Sequence, residues 1–178
     1  MARVVLVTGG SRSGKSFYAQ KLAEDIDGRR AFLATCPVID EEMAERIQKH
    51  QRARNEANWD TIEEATNLAN ALRNACKYDV VLIDCLTLWI NNLMYESECE
   101  GKKVTEEDIV RVCEDVLSAC SELSGTVIFV TNEVGMGIVP GDALSRRYRD
   151  LVGRCNQTIA AAADAVMLVS CGIPISLK

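Results

Sequence analysis

Gly9-Gly10-Ser11-Arg12-Ser13-Gly14-Lys15-Ser16 fits the pattern G-x-x-x-x-G-K-S/T and follows the apolar run Val4-Val5-Leu6-Val7 directly. A strand is expected to end near Thr8 and a helix to begin near Lys15. Between them, glycines let the backbone turn its N–H groups inward around phosphate oxygens. The helix N-terminus adds partial positive charge at the same place. In this pattern Lys15 reaches the β- and γ-phosphates and the Ser16 hydroxyl binds Mg2+. A chance Gly-rich turn carries little weight, because the stretch sits in the strand–loop–helix context that the mechanism needs. The pattern points to nucleoside triphosphate binding and leaves the reaction open.

Around this loop the chain alternates strands and helices. Arg3 to Thr8 reads as a strand buried on both faces, and the first helix is expected from Ser16 to about Ile26, ended by Gly28. Ala31 to Ala34 reads as a second strand. After Pro37, Asp40 is a good N-cap for a helix to about Ala53. Trp59-Asp60-Thr61 is expected to enter a third helix running to about Ala75, with Thr61 and Glu64 as a capping box and Leu68 and Leu72 in its buried stripe. Glu63 is not needed for that cap.

Asp-Val-Val-Leu-Ile at 79–83 is another apolar strand, and it ends in Asp84. A carboxylate at the C-terminal end of a buried strand after a phosphate loop is a candidate Mg2+ ligand, direct or through water. A short helix is expected from Thr87 to about Tyr95, then a charged surface loop from Glu96 to Lys103. Thr105 opens a helix whose first turn is acidic and whose buried face is Ile109, Val112, Val116 and Leu123. Thr126 to Thr131 is the next strand, and it delivers Asn132 and Glu133 to the carboxyl edge where such sheets bind ligands. The Gly-rich loop Val134-Gly135-Met136-Gly137-Ile138-Val139-Pro140-Gly141 presents apolar residues and reads as functional rather than connective. Asp142 starts a long helix to about Ala163 that carries Arg146, Arg147, Arg149 and Arg154, with Gly153 inside it as a close-packing position. Ala165 to Val169 is a strand, and Gly172-Ile173-Pro174 begins an antiparallel edge strand, where proline is tolerated. The expected fold class is α/β: a P-loop NTPase three-layer sandwich, mostly parallel, in a single domain over residues 1–178.

Composition narrows the function classes. The 178 residues carry 20 Lys and Arg against 26 Asp and Glu, a net charge of −6, which argues against a general nucleic-acid surface. No apolar run approaches the ~18 residues of a membrane span. The N-terminus runs straight into a strand without a signal peptide, so a cytoplasmic location is expected. There are eight cysteines and one histidine, without a C-x-x-C pair, which argues against a zinc site. In the absence of a secretion signal the cysteines read as reduced, several of them as small hydrophobes.

The helix expected from Asp40 holds unusual chemistry. Met43, Ile47, His50 and Arg54 share one helical face by their spacing. Arg46, Lys49, Arg52 and Arg54 surround His50, without an acid between Arg46 and Arg54. Composition alone favours a solvated basic face with a passenger histidine.

The remaining patterns resolve the class. A guanine-reading N-K-x-D after a strand is lacking, and no second domain of motor or transporter size is present, which leaves a small P-loop transferase. The chain resembles the bifunctional adenosylcobinamide kinase / adenosylcobinamide-phosphate guanylyltransferase family. The resemblance rests on Thr8 to Ser16; on Arg46-Ile47-Gln48-Lys49-His50 with Arg54 and Trp59; and on Asp84-Cys85-Leu86-Thr87 with Asn91-Asn92. It rests further on Thr131 to Pro140, and on Arg146, Arg149-Asp150, Gly153 and Asn156-Gln157. The resemblance implies two reactions. ATP or GTP phosphorylates the aminopropanol hydroxyl of adenosylcobinamide. GTP then gives its GMP to a histidine, and the phosphorylated corrinoid takes GMP from the enzyme. The guanylylated histidine corresponds to His50, which overturns the passenger reading. A free imidazole titrates near ~6.5, and neighbouring cations favour its neutral, nucleophilic form. The resemblance further implies nucleotide contacts at Ala34, Thr35, Cys36, Gln51, Arg52, Ala53, Arg54, Glu63 and Asp84, and a homotrimer. The corrinoid site is left to two candidates, the Gly135–Gly141 loop and the arginine-bearing helix. The alternatives are a P-loop small-molecule kinase without guanylyl transfer, and a nucleotide-regulated module that grips a partner through the Val134–Pro140 loop.

Overall fold

The computed structural model describes residues 1–36 and 59–178. The helix expected from Asp40 to Ala53, and with it His50, Gln51, Arg52, Ala53 and Arg54, lies outside the described residues. The described elements are β1 (Arg3–Thr8), α1 (Lys15–Glu24), β2 (Arg30–Ala34), β3 (Trp59–Glu63), α2 (Leu68–Arg73) and β4 (Val80–Asp84). They continue with α3 (Leu86–Cys99), α4 (Glu106–Glu122), β5 (Thr126–Val130), α5 (Ala143–Ala162), β6 (Ala165–Ser170) and β7 (Ile173–Ser176).

The strands form one seven-stranded sheet in the order β3-β2-β4-β5-β1-β6-β7. All neighbours pair in parallel except β7, which runs antiparallel to β6 at the edge. Alternation along the strands sorts the core into two layers. Leu6, Val81, Ile83 and Phe129 face the larger layer, under Leu68 and Leu72 of α2, Trp89 and Ile90 of α3, Ile109 and Val116 of α4, and Leu151 and Ile159 of α5. Val5, Val7, Leu82, Ile128 and Val130 face the other, where Ala19 and Ala23 let α1 lie close. Each fully buried Leu, Ile or Phe contributes about 1.5–3 kcal/mol relative to exposure.

Three expectations are corrected. Trp59–Glu63 is a strand, not a helix entry, and it pairs residue for residue with β2 from Arg30↔Trp59 to Ala34↔Glu63. An aromatic followed by Thr61 and Ile62 suits a pleated, half-buried edge, and Trp59 is buried edge-on against Phe32 at 6.4 Å. Glu64 still organises a turn, but downstream: its Oε1 accepts from the N–H groups of Thr66 and Asn67 at 2.9 and 2.8 Å. Asn67 then caps the shorter helix α2.

Helix α3 runs through the stretch expected to be a charged loop. Its end at Cys99 is closed by a Schellman turn, in which Lys102 N–H donates to Ser97 C=O at 2.8 Å and Gly101 N–H to Glu98 C=O at 3.0 Å. Gly101 takes the required positive φ of 71°. Gly153 is the third correction: among the described residues a Cβ there would meet nothing within 4 Å, so no described element packs closely on it.

The helix starts at Thr105 and Asp142 are as expected. Thr105 and Asp108 make a reciprocal capping box, and the Asp142 carboxylate accepts from Ser145 N–H at 2.7 Å.

Candidate active site

The loop from Gly9 to Gly14 leaves the buried strand β1 and turns into α1 through two left-handed residues, Arg12 (φ 58°) and Gly14 (φ 93°). Two neighbours hold it. Glu133 N–H donates to the Gly9 carbonyl at 3.1 Å, and Gly172 N–H donates to the Ser13 carbonyl at 2.8 Å. A Cβ on Gly9 would overlap the Val169 carbonyl and the Ser13 hydroxyl, and one on Gly14 would sit 3.1 Å from Gly172 Cα. Only glycine allows this approach. Within the loop Lys15 Nζ donates to the Gly10 carbonyl at 3.2 Å. Gly10, Ser11, Arg12 and Ser16 are exposed, so their polar groups face solvent at the mouth. Thr8 Oγ1 and Ser13 Oγ are buried without a hydrogen-bond partner among the described residues.

Asp84 ends β4, but β4 is not beside β1. Strand β5 lies between them, with Asp84 level with Val130 and Val130 level with Val7. Two strand spacings are about 10 Å. The residues that follow β5, Thr131-Asn132-Glu133, therefore emerge between Asp84 and the phosphate loop.

The backbone at Asp84 is fixed from β2. Thr35 is fully buried. Its hydroxyl accepts from Cys85 N–H and donates to Cys85 C=O, both at 2.8 Å. Asn92 of α3 donates to the Thr35 carbonyl at 2.8 Å and to the Ala65 carbonyl at 2.9 Å, tying the exits of β2 and β3 together. Trp89 Nε1 adds a bond to the Thr66 carbonyl at 2.7 Å. Burial, and then the negative charge of Asp84, raise the Cys85 thiol above its ordinary value, which keeps it protonated.

The exit of β5 is fixed from α5. Thr131 Oγ1 donates to Asn156 Oδ1 at 2.7 Å, and Asn156 Nδ2 donates to the Asn132 carbonyl at 3.1 Å. Asn132 Nδ2 donates to Thr87 Oγ1 at 3.1 Å, while its Oδ1 is buried without a partner among the described residues. Tyr148 OH donates to the Thr87 carbonyl at 3.2 Å, and burial raises its phenol above the usual value.

The arginines of α5 divide by task. Arg146 holds the carbonyls of Pro140 and Gly141 at 2.9 and 2.7 Å, Arg147 holds that of Val104 at 2.9 Å, and Arg154 pairs with Glu106 at 2.6 Å. Arg149 lies mostly buried, 3.6 Å from the Asp150 carboxylate.

Of the expected site residues, Gly9 to Ser16, Ala34, Thr35, Cys36, Glu63 and Asp84 stand along the carboxyl edge of one sheet. Asn92 and Gly172 were not singled out as site residues by the sequence reading. Asn92 lay inside a helix pattern and carried only the family resemblance, and Gly172 read only as the start of the edge strand, so their contacts with residues far away in sequence had no local signal. The oxygen donors Ser16 and Asp84 are of the hard kind that suits Mg2+.

A mostly parallel sheet with this loop between β1 and α1, and an acid closing β4, defines a P-loop NTPase three-layer sandwich. A solved structure described as a structural and biochemical analysis of a prototypical ATPase from the type III secretion system of pathogenic bacteria shares the fold, with a TM-score of 0.60 at 10% identity. It covers 98% of this chain, which spans 56% of that one. Within this class the chain belongs to the cobinamide kinase / cobinamide phosphate guanyltransferase family, whose model matches residues 5–177. It is 38% identical to the bifunctional adenosylcobalamin biosynthesis protein CobU of Escherichia coli (strain K12), over 98% of this chain and 99% of that protein. It is 39% identical to the protein of the same name from Salmonella typhimurium, with the same coverage. It is 40% identical to the bifunctional adenosylcobalamin biosynthesis protein CobP of Pseudomonas aeruginosa, over 97% and 96%.

Proposed function

We propose that the chain, acting as a single domain, performs both reactions for which its family is named. ATP or GTP phosphorylates the aminopropanol hydroxyl of adenosylcobinamide. GTP then guanylylates His50, and the corrinoid phosphate takes the GMP to give adenosylcobinamide-GDP. The observation that carries this reading is the loop Gly9–Ser16, pinned at Gly9 and Ser13 with its polar groups at the mouth of the sheet edge that also bears Asp84.

The loop N–H groups and Lys15 bind the β- and γ-phosphates. Ser16 and Asp84 would hold Mg2+, which when bound neutralises phosphate charge. A neutral imidazole nitrogen of His50 attacks the α-phosphorus. The N–P bond forms, the bond to the pyrophosphate oxygen breaks, and pyrophosphate leaves held by Lys15. An oxygen of the corrinoid phosphate then attacks the same phosphorus and the P–N bond breaks. Arg46, Lys49, Arg52 and Arg54, close to His50 in sequence, are positioned by composition to stabilise the phosphoryl charge. Ala34, Thr35, Cys36, Gln51, Ala53 and Glu63 complete the nucleotide site. The active assembly is a homotrimer.

The test is incubation with GTP carrying 32P at the α-phosphorus and no corrinoid. The expected result is an acid-labile label on the wild type, absent from His50→Ala, with release of pyrophosphate. Equal labelling of His50→Ala would remove His50 from the reaction. No label on the wild type, with corrinoid phosphorylation intact, would leave a kinase alone.

A further inference from the structure

The loop at 134–141 and helix α5 line an open groove of about 710 Å3. Glu133, Val139, Arg149, Gly153 and Asn156 are among the residues that line it. Gly153 lies in the interior of a 20-residue helix, where glycine is destabilising relative to alanine. Among the described residues no close helix contact compensates for it, since a Cβ would meet nothing within 4 Å. The missing side chain widens the groove and serves no packing in the described fold.

Glu133 joins the groove to the phosphate loop. Its backbone N–H holds the Gly9 carbonyl of the phosphate loop. Its Oε1 accepts from Gly135 N–H at 3.0 Å, which fixes the carboxylate and leaves Oε2 without a bond among the described residues. At the outer lip Met136, Ile138 and Val139 are 83, 97 and 60% exposed, an apolar rim continuous with the groove.

We propose that this groove is the acceptor site and that Glu133 is the general base of the phosphorylation step. The proposal rests on the kinase reading above and extends it to residues. The acceptor it fits is a large, flat-faced amphipathic ring bearing an alcohol side arm. The ring lies on the apolar rim, the side arm passes over Gly153, and the hydroxyl reaches Glu133. Glu133 takes the hydroxyl proton as the acceptor oxygen attacks the γ-phosphorus. The O–P bond forms, the bond from that phosphorus to the β,γ-bridging oxygen breaks, and the nucleoside diphosphate leaves with the electron pair. Arg149, which also lines the groove 3.6 Å from the Asp150 carboxylate, offers a cation to the phosphorylated product.

The full chain is tested with adenosylcobinamide as acceptor, reading kcat, both KM values, thermal midpoint and sedimentation mass. Gly153→Leu is expected to keep or raise the midpoint, to keep the mass, and to raise the acceptor KM at least tenfold with the nucleotide KM within twofold. Glu133→Gln preserves the Gly135 bond and is expected to lower kcat about 100-fold or more, the range of general-base removal. Glu133→Asp is expected to recover part of the loss. A Gly153→Leu variant with altered mass and unchanged acceptor KM would make the groove a contact between copies of the chain, and the proposal would fall. A Glu133→Gln variant with wild-type kcat would remove the base. Failure of the wild type to phosphorylate adenosylcobinamide would sink the kinase reading and this proposal together. Loss of GTP-only labelling alone would sink only the guanylyl step.

Discussion

Thr35 and Cys85 are 50 residues apart in sequence, yet the Thr35 hydroxyl bonds both the N–H and the C=O of Cys85 at 2.8 Å. One buried side chain thereby satisfies the Cys85 N–H directly after Asp84, where the strand ladder ends, and adds a second donor to the Cys85 carbonyl beside the Trp89 N–H. Replacement by valine keeps the shape and orphans the Cys85 N–H, while the Cys85 carbonyl keeps its bond from Trp89 N–H at 3.1 Å. Thr35→Val is expected to lower unfolding stability by about 1–3 kcal/mol, the penalty for buried unsatisfied polar groups. It should also reduce corrinoid phosphorylation and guanylylation together, because both depend on where Asp84 stands. Thr35→Ser restores the hydroxyl and should recover most of both. Urea titration and the two assays read the outcome; a Thr35→Val protein of wild-type stability would deny the clamp.

Lys15 tests the phosphate loop without disturbing the fold. Its ammonium makes one described bond, to the Gly10 carbonyl, at a half-buried position. Lys15→Met retains the apolar stem and removes the charge. The expected result is a loss of about 100-fold or more in both half-reactions, as for other removed transition-state donors, with an unfolding midpoint close to wild type. Equal activity would detach this loop from the chemistry.

The sequence made the central strands and the phosphate loop legible because both are written locally, in apolar runs and in glycine spacing. It misjudged Trp59–Glu63 because a T-x-x-E pattern and an extended edge strand share their residues. Pairing with β2, a contact across sequence, decided between them. The charges at 96–99 suggested a loop, although an exposed helix face carries charges equally well, and the stop signal was Gly101. Asp84 was singled out correctly as the acid ending a buried strand. That β5 stands between it and β1, and so brings Glu133 beside the loop, belongs to strand order, which no local pattern encodes. The likeness of Gly153 to a packing glycine was reversed for the same reason: only the fold shows which side of α5 is open.

Helix capping gives a pH dependence of definite sign. Hydrogen bonds from the Thr105 backbone hold Asp108 below the usual carboxylate range, and those from Ser145 do the same for Asp142. A carboxylate lowered in the folded state stabilises it fully above the unfolded value and loses that contribution as pH falls through the lowered one. The urea midpoint of the wild type should therefore exceed that of Asp142→Asn at pH 7. The gap should begin to narrow below about pH 4, where the unfolded carboxylate protonates, and close as pH falls through the lowered folded value. A gap unchanged at pH 3 would show that the cap acts through geometry alone.

The cysteines offer a check on the layers that needs no substrate. Cys76, Cys99 and Cys171 are exposed, whereas Cys85, Cys113, Cys120 and Cys155 are buried and reduced. Burial pushes the Cys120 thiol up to about 12, and contact with Cys113 at 3.6 Å together with burial raises Cys155. Thiolate is the reacting species, so these positions are protected twice, by access and by protonation. Brief alkylation of the native chain by iodoacetamide at pH 8, read by peptide mass, should modify the three exposed cysteines and spare the four buried ones. The same treatment in urea should modify all of them. Cys171 is the most informative position, because it precedes Gly172, whose N–H holds the Ser13 carbonyl. A bound nucleoside triphosphate that orders the phosphate loop should slow alkylation at Cys171 and leave Cys76 and Cys99 unchanged. Equal rates at Cys171 with and without nucleotide would mean that the turn between β6 and β7 does not sense the loop.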